Sequence, residues 1–311
     1  MAKVIVSMSG GKDSTATALL AIERELDPML GFADVGHEHE STYEYVDYLE
    51  EKLGIKINKV KADFSKQIER KREVVQTKWR KDGISEDKIE RALAVLYPTG
   101  NPFLDLCIWK GRFPSMLNRF CTMELKIGPF NEQILLPALK EYGEVESWVG
   151  VRADESPSRA KLPEREMDDT GAELVRPILS WDVEDVFAMH RKHGIKPNPL
   201  YTQGMSRVGC MPCVACGKED IRQIAMRFPE EVERISEWEA IVREASKQNH
   251  AAFFTLRKEE VEGLSYEEHE KYASIKGRVE WANTTRGKVQ YDLISVYEEP
   301  SMCHSIYGLC E

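Results

Sequence analysis

Hydrophobic positions open this chain as an unbroken run and then spread out. Val4, Ile5 and Val6 are consecutive β-branched residues, the pattern of a strand buried on both faces. From Ser14 onward the apolar residues recur at helical spacing, at Ala16, Leu19, Leu20 and Ile22, so a helix follows the strand directly. The alternation then repeats. A second strand within "MLGFADVGHEHEST" ends at Asp34 and leads to a helix with a Ser41–Glu44 capping box and a buried stripe of Tyr45, Val46, Leu49 and Leu53. A third strand, "IKINKVKA", comes next. Strand–helix–strand at this rhythm predicts right-handed parallel units, an α/β fold with a doubly wound, mostly parallel sheet. Such sheets bind ligands at the carboxyl ends of their strands, where Ser9–Ser14 and Asp34–Glu38 both fall.

Further along, residues 65–98 read as two charged helices inserted between sheet elements. Between Lys66 and Lys81 the cations Lys66, Arg70, Lys71, Arg72, Lys78, Arg80 and Lys81 are opposed only by Glu69 and Glu73. A solvated helix face is the first reading of that stretch, and a contact surface for an anionic partner is the second. The sheet resumes in "VESWVGV" at 145–151, and a helix carrying Val183, Val186, Phe187 and His190 follows. Beyond Cys216, "FPEEVERISEWEAIVREA" places Pro229 at a helix start and spaces Val232, Ile235, Trp238 and Ile241 by three. The expected organisation is a nucleotide-binding α/β domain over 1–216, with a helical insertion at about 65–98. A helical C-terminal region over 217–311 then ends in a cysteine-bearing tail.

The junction of the first strand and helix carries the chemistry. Gly10 and Gly11 stand in the turn, where glycine permits positive φ and a close backbone approach to a ligand. The helix beyond it offers N–H groups and a positive dipole end to a phosphate. Lys12 adds a point charge, while Ser9 and Ser14 add hydroxyls. Asp13 would repel a phosphate unless a cation lay between them, a role magnesium fills. The string is neither Gly-x4-Gly-Lys nor Gly-x-Gly-x-x-Gly, so the common nucleotide fingerprints do not describe it.

Composition narrows the classes. The chain has 311 residues, 42% hydrophobic and 31% charged, ordinary for a globular protein. No apolar run approaches the roughly 20 residues that span a bilayer. The first residues resemble a core strand and not a signal peptide, so a cytoplasmic address is expected and no membrane partner. A net charge of −10 argues against general coating of nucleic acid. Seven cysteines, an odd number, favour metal, cluster or redox chemistry over a disulfide framework. Cys210, Cys213 and Cys216 in "GCMPCVACGK" recur at two-residue intervals, a spacing that lets thiolates converge on one metal or cluster. A fourth ligand is needed. Cys121 in "NRFCTMELK", flanked by Arg119 and Lys126, is the first candidate, with Cys303 or His304 as substitutes. Cys107 has apolar neighbours and reads as core.

Five strings taken together carry a resemblance. They are the Ser9–Ser14 loop, "DVGHEHEST" (34–42), Arg119-x-Cys121-Thr122-x-x-x-Lys126, "GVRADESPSR" (150–159) and "NPLYTQGMSRVGCMPC" (198–213). In this order they resemble the phosphoadenosine phosphosulfate (PAPS) reductase family. That family belongs to the PP-loop ATP pyrophosphatases, the adenine nucleotide alpha hydrolase-like superfamily. The versions carried by bacteriophages look most similar. The resemblance implies a nucleotide held by Ser9, Gly10, Gly11, Lys12, Asp13 and Ser14, with Asp34 near the adenosine and Gly150 in the binding site. It also implies that Arg152 and Arg159 clamp phosphate or sulfate, with Glu155 orienting them and Asp13 and Arg152 in the catalytic set. It favours a [4Fe–4S] cluster on Cys121, Cys210, Cys213 and Cys216, with zinc as the alternative.

Three departures shape the expected reaction. Sulfonucleotide reductases of the family carry a degraded PP-loop, whereas this loop is intact; their iron–sulfur forms use tandem cysteines, whereas Cys121 is followed by Thr122. They end in Glu-Cys-Gly, whereas this chain ends "MCHSIYGLCE", where Cys310, or Cys303, could carry a persulfide. These features look more similar to the branch that inserts sulfur into nucleic acid, such as the DNA phosphorothioation enzymes. The expected activity is therefore adenylation-dependent sulfur transfer. ATP with Mg2+ activates an acceptor oxygen, and sulfur from the cluster or a persulfide displaces AMP. A cysteine desulfurase or thioredoxin-like protein would supply the sulfur, and nucleic acid is one possible acceptor. Two alternatives stand beside it: a PAPS or adenylylsulfate reductase making sulfite, and a nucleotide-binding regulatory or interaction protein without turnover.

Overall fold

Strand β1 (Lys3–Met8) holds the opening hydrophobic run, and every residue from Val4 to Met8 is buried. The computed structural model describes residues 2–256 and 258–284; Cys303, His304 and Cys310 lie outside the described residues. Five more strands join β1: β2 (Met29–Asp34), β3 (Ile57–Lys61), β4 (Val145–Trp148), β5 (Arg165–Met167) and β6 (Glu173–Val175). Their order across the sheet is β3-β2-β1-β4-β6-β5. All neighbouring pairs are parallel except β5 with β6. The chain leaves β1 on one side for β2 and β3 and returns on its other side for β4. That reversal makes a crevice at the carboxyl ends of β1 and β4, where ligands settle in such sheets.

Alternation along β1 fills two layers. Val4, Val6 and Met8 pack with Leu19 and Leu20 of α1 (Lys12–Glu23), with Tyr45, Val46 and Leu49 of α2 (Glu40–Leu53), and with Val186. Ile5 turns the other way, toward Phe130, Ile134, Leu135 and Ala138 from the helical run over 122–142. Helix α2 starts earlier than its pattern predicts. His39, in extended backbone, accepts the Ser41 amide through Nδ1 at 3.1 Å, so His39 and not Ser41 is the cap.

Among the described residues the chain divides into two compact units, each built from two stretches: residues up to Ala62 with Thr122–Met211, and Asp63–Cys121 with residues 212–284. The expected insertion therefore joins the C-terminal helices, where the sequence placed a boundary at 216. Neither group of helices buries its apolar stripe alone. In the second unit, Phe103 stacks on Trp238 with ring centroids 5.8 Å apart, and Phe253 packs against both Phe103 and Phe113. The Lys88 ammonium, almost fully buried, reaches the Arg243 and Glu244 carbonyls at 3.1 and 2.9 Å and Asn249 Oδ1 at 2.9 Å.

Glu239, only 4% exposed, fastens the C-terminal segments of this unit. Its Oε1 accepts the amides of Phe253 at 2.7 Å and Ile275 at 2.9 Å. Burial pushes its carboxyl up to about 7, with the two amides opposing. A folded pKa above the unfolded value gives stability that is complete below pH 4.5 and lost as pH rises through 7, about 3 kcal/mol in all. Glu239→Gln keeps the accepting oxygen and removes the titration. Denaturant unfolding should show the variant close to wild type at pH 4.5 and more stable by about 2–3 kcal/mol at pH 8; a difference independent of pH would exclude charge burial as its cause.

Candidate active site

The Ser9–Ser14 turn is stapled from within. The Ser9 amide donates to Ser14 Oγ at 3.1 Å, the two hydroxyls lie 3.0 Å apart, and Ser14 and Thr15 hydroxyls both donate to the Gly11 carbonyl. Gly10 has φ +79°, and a Cβ there would stand 2.7 Å from Thr42 Cγ2, so both backbone sterics and the neighbouring helix demand glycine. The N-cap of α1 is Gly11, which has no side chain to serve as a cap.

The carboxyl end of β4 meets this turn. Gly150 lies against the Asp13–Ser14 peptide, where a Cβ would stand 2.7 Å from Asp13 C and Ser14 N. Two residues on, Arg152 Nε donates to Asp13 Oδ1 at 2.6 Å, while the other Asp13 oxygen takes the Lys12 ammonium at 2.9 Å. Arg152 Nη1 donates to both oxygens of Asp154 at 2.6 Å. Glu155 receives the Arg152 amide at 2.9 Å and the Arg159 guanidinium. Asp13 is fully buried and Arg152 is 5% exposed. Burial opposes the charge on Arg152, but Asp13, Asp154 and Glu155 outweigh it and hold its pKa above the ordinary arginine value. Asp13 thus meets two cations within the protein, because β4 brings a guanidinium to the carboxylate from a position 139 residues away.

Three further residues hold the turn, and sequence reasoning gave none of them that role. The Asn198 side chain, fully buried, donates to the Gly10 carbonyl at 3.1 Å. The Tyr201 hydroxyl accepts the Lys12 amide at 3.1 Å, and its ring lies 5.3 Å from the Lys12 ammonium. His190, on the Val183–Lys192 helix, places Nε2 2.9 Å from the Lys12 carbonyl. The signal for Asn198 and Tyr201 was the polar pair around Pro-Leu in "NPLY". His190 fell in an apolar stripe, and periodicity does not separate a buried donor from a packed ring.

At the carboxyl end of β2, Asp34 Oδ1 accepts the Gly36 amide at 2.9 Å and the Tyr43 hydroxyl at 2.8 Å, and Oδ2 pairs with Lys61 at 2.9 Å. The same hydroxyl lies 3.0 Å from Glu38 Oε2. Burial raises the Glu38 carboxyl above the usual range, with Lys126 and Tyr43 opposing. Glu38 and Lys126 line a small cavity with Ser9 and Gly209.

The cysteines divide between the units. Cys210 pairs by backbone with Glu38 in the sheet unit. Cys121, Cys213 and Cys216 belong to the helical unit, where Cys213 and Cys216 share a turn closed by a 3.0 Å amide bond. Cys107 is buried as expected, and its thiol is pushed up by burial and by Cys121. Among the described residues no group of three or more His, Cys, Asp or Glu side chains is arranged to hold a metal ion.

A phosphate-type turn and an arginine-bearing loop meeting at a sheet reversal is nucleotide geometry, and residues 3–216 match the family model of the phosphoadenosine phosphosulfate reductase domain. The chain belongs to that family. Within the PAPS reductase family it is 48% identical to an uncharacterized 37.8 kDa protein in the gpa 5′ region of Escherichia phage 186, across 99% of this chain and 96% of that one. It is 42% identical over 81 residues to an adenosine 5′-phosphosulfate reductase of Allochromatium vinosum, a stretch covering 24% of this chain and 31% of the enzyme. A crystal structure of the PAPS reductase of Candida auris in a phosphate complex aligns with TM-score 0.43 and 16% identity, covering 68% of this chain and 83% of that one. No helix among the described residues is long and apolar enough to cross a membrane.

His190 gives this family member a pH-sensitive support. Burial lowers its pKa, partly offset by backbone hydrogen bonds to Lys12 and Ile195. With the folded value below the unfolded one of about 6.5, its share of stability is present above that pH and lost as pH falls through the folded pKa. His190→Gln should unfold with less dependence on pH between 7 and 5 than wild type; equal slopes in urea titrations would mean that His190 does not titrate in that window.

Proposed function

We propose that this PAPS reductase family protein binds ATP with its phosphates on the Ser9–Ser14 turn and catalyses adenylation-dependent sulfur transfer. One observation carries the reading: Arg152 reaches the turn with Nε and Nη1 engaged by Asp13 and Asp154, and its Nη2 makes no hydrogen bond among the described residues. Two carboxylates orient the guanidinium, and its remaining edge serves an anion. Lys12 sits on the same carboxylate and faces the same phosphates.

In the proposed reaction an acceptor oxygen attacks the α-phosphorus, its bond to the β-phosphate oxygen breaks, and pyrophosphate leaves with its charge met by Lys12 and the α1 amides. The outer sulfur of a persulfide on Cys310 or on a donor protein then attacks the activated acceptor carbon, AMP departs with the carbon–oxygen electron pair, and a dithiol of thioredoxin type cleaves the resulting S–S bond, being oxidised to its disulfide as the thiolated acceptor leaves. Asp13 is the positioning residue for Arg152 and Lys12. The second reading, reduction of adenylylsulfate or PAPS to sulfite with a thioredoxin-type donor, draws support from the relative named as an adenosine 5′-phosphosulfate reductase. Pyrophosphate released from ATP supports the first and sulfite released from a sulfonucleotide supports the second; neither product would leave a nucleotide-binding protein without turnover.

Two substitutions test the site. Arg152→Lys keeps one charge but loses the planar fork, so the Kd for ATP should rise about tenfold or more; an unchanged Kd removes Arg152 from the phosphates. Asp13→Asn leaves two cations without their counter-charge, which should cost about 3–5 kcal/mol of stability and weaken nucleotide binding equally with and without Mg2+. A loss confined to the magnesium-dependent binding would make Asp13 a metal ligand instead.

A further inference from the structure

A second concentration of positive charge lies wholly within the helical unit. Arg70, Lys71, Lys110, Arg112 and Lys247 line one open pocket together with His250, and no carboxylate lines it. The arrangement follows from helical spacing. Gln67, Arg70, Lys71 and Val74 stand at i, i+3, i+4 and i+7 on the Ser65–Val74 helix and share the pocket stripe, whereas Glu69 and Glu73 are absent from it. Five cations gathered without an acid run against the chain's net charge of −10.

The pocket floor is short of negative charge. The Lys71 ammonium finds only a neutral partner, the Ile108 carbonyl at 2.7 Å. Burial pushes its pKa down to about 8, and the charge of Lys88 pushes the same way. Arg70 and Arg112 make no ion pair among the described residues. Lys247 pairs with Asp82 at 2.8 Å and His250 lies 3.5 Å from Glu270, so acids meet two of the cationic groups only from outside the lining. Trp109 does not serve as a platform for a base. Phe64 stacks on it at 5.6 Å, and the Lys110 ammonium sits 3.8 Å from its centroid, so the ring fixes a charge in the pocket.

We infer that this pocket binds the phosphate groups of an anionic ligand, at a site distinct from the Ser9–Ser14 turn. Charge is what its lining offers, so recognition is of phosphate and not of base identity. The phosphates come either from a small phosphorylated molecule or from the backbone of a single-stranded nucleic acid. In both cases bound phosphate supplies the charge that Lys71 lacks and raises its pKa.

The test uses the full chain with two probes, a fluorescent twelve-residue oligothymidylate and inorganic phosphate. If the source is nucleic acid, the oligonucleotide binds with log K falling with log salt at a slope near −0.7 per phosphate neutralised, about −2 to −3.5 for three to five. The double variant Arg70→Glu with Arg112→Glu should weaken it tenfold or more, whereas Lys12→Ala should not. If the source is a small molecule, the oligonucleotide fails to bind, but millimolar phosphate slows acetylation of Lys71 at pH 8, read by mass spectrometry, and the double variant abolishes the protection. Arg70→Gln with Arg112→Gln, which avoids charge reversal, should show the same losses in milder form and guards against misfolding. Absence of both oligonucleotide binding and Lys71 protection, or equal responses in wild type and the neutral double variant, would overturn the inference.

Discussion

The buried ion pair between Asp13 and Arg152 is the contact on which the site's arrangement rests. It joins the carboxyl ends of two neighbouring parallel strands, and neither partner has enough water around it to stand alone. A fully buried carboxylate without a partner carries a desolvation cost of several kcal/mol, so the turn after β1 and the loop after β4 hold their shapes only in each other's presence. The absence of a side chain at Gly150, which lies against the Asp13–Ser14 peptide, follows from that requirement. The carboxylates of Asp154 and Glu155 extend the same logic outward, each supporting a guanidinium. The result is a chain of alternating charges that leads from the core to the crevice.

How much of this was legible depended on the range of the interaction. The handover from strand to helix, the glycine turn and the parallel rhythm are local, and residues 4–61 carried them openly through spacing and turn chemistry. The partner of Asp13 was not legible. Nothing in a carboxylate at position 13 announces a guanidinium 139 residues away at 152. The cap of α2 shows the same limit on a smaller scale: Ser41 and Glu44 satisfied the pattern, yet His39 offered an acceptor one residue before the helix began. The regular spacing of Cys210, Cys213 and Cys216 showed that the segment was special without showing which of its thiols share surroundings. The string "NPLY" marked a segment of interest, but only the fold revealed that Asn198 and Tyr201 hold the backbone of the turn.

Charge is distributed unevenly for a reason that composition hides. Acidic residues outnumber basic ones by 53 to 43, yet many carboxylates near the crevice are spent on arginines and lysines inside the protein, so the net figure says little about any one surface. In the sheet unit the cations are held by acids and aligned by them. In the helical unit Lys71 is held by a carbonyl, and its ammonium keeps a pKa close to neutrality. Two arginines or lysines of equal formal charge thus differ in what they are prepared to meet.

The interleaving of the two units bears on how the chain comes to be folded during synthesis. The helical unit draws on residues 63–121 and, among the described residues, on 212–284, so its first half emerges from the ribosome about ninety residues before its second. Phe103 has no Trp238 to stack on, and the Lys88 ammonium no Arg243 carbonyl to reach, until translation is well advanced. The sheet unit also closes late, since β4 is needed beside β1 and arrives only after the first helical segment has passed. Long-range closure of this kind slows folding and leaves apolar helix faces exposed in the meantime. A nascent chain stopped near residue 211 would hold every strand of the sheet and an orphaned set of helices, sticky to other proteins in proportion to the aromatic surface that the missing third was to cover.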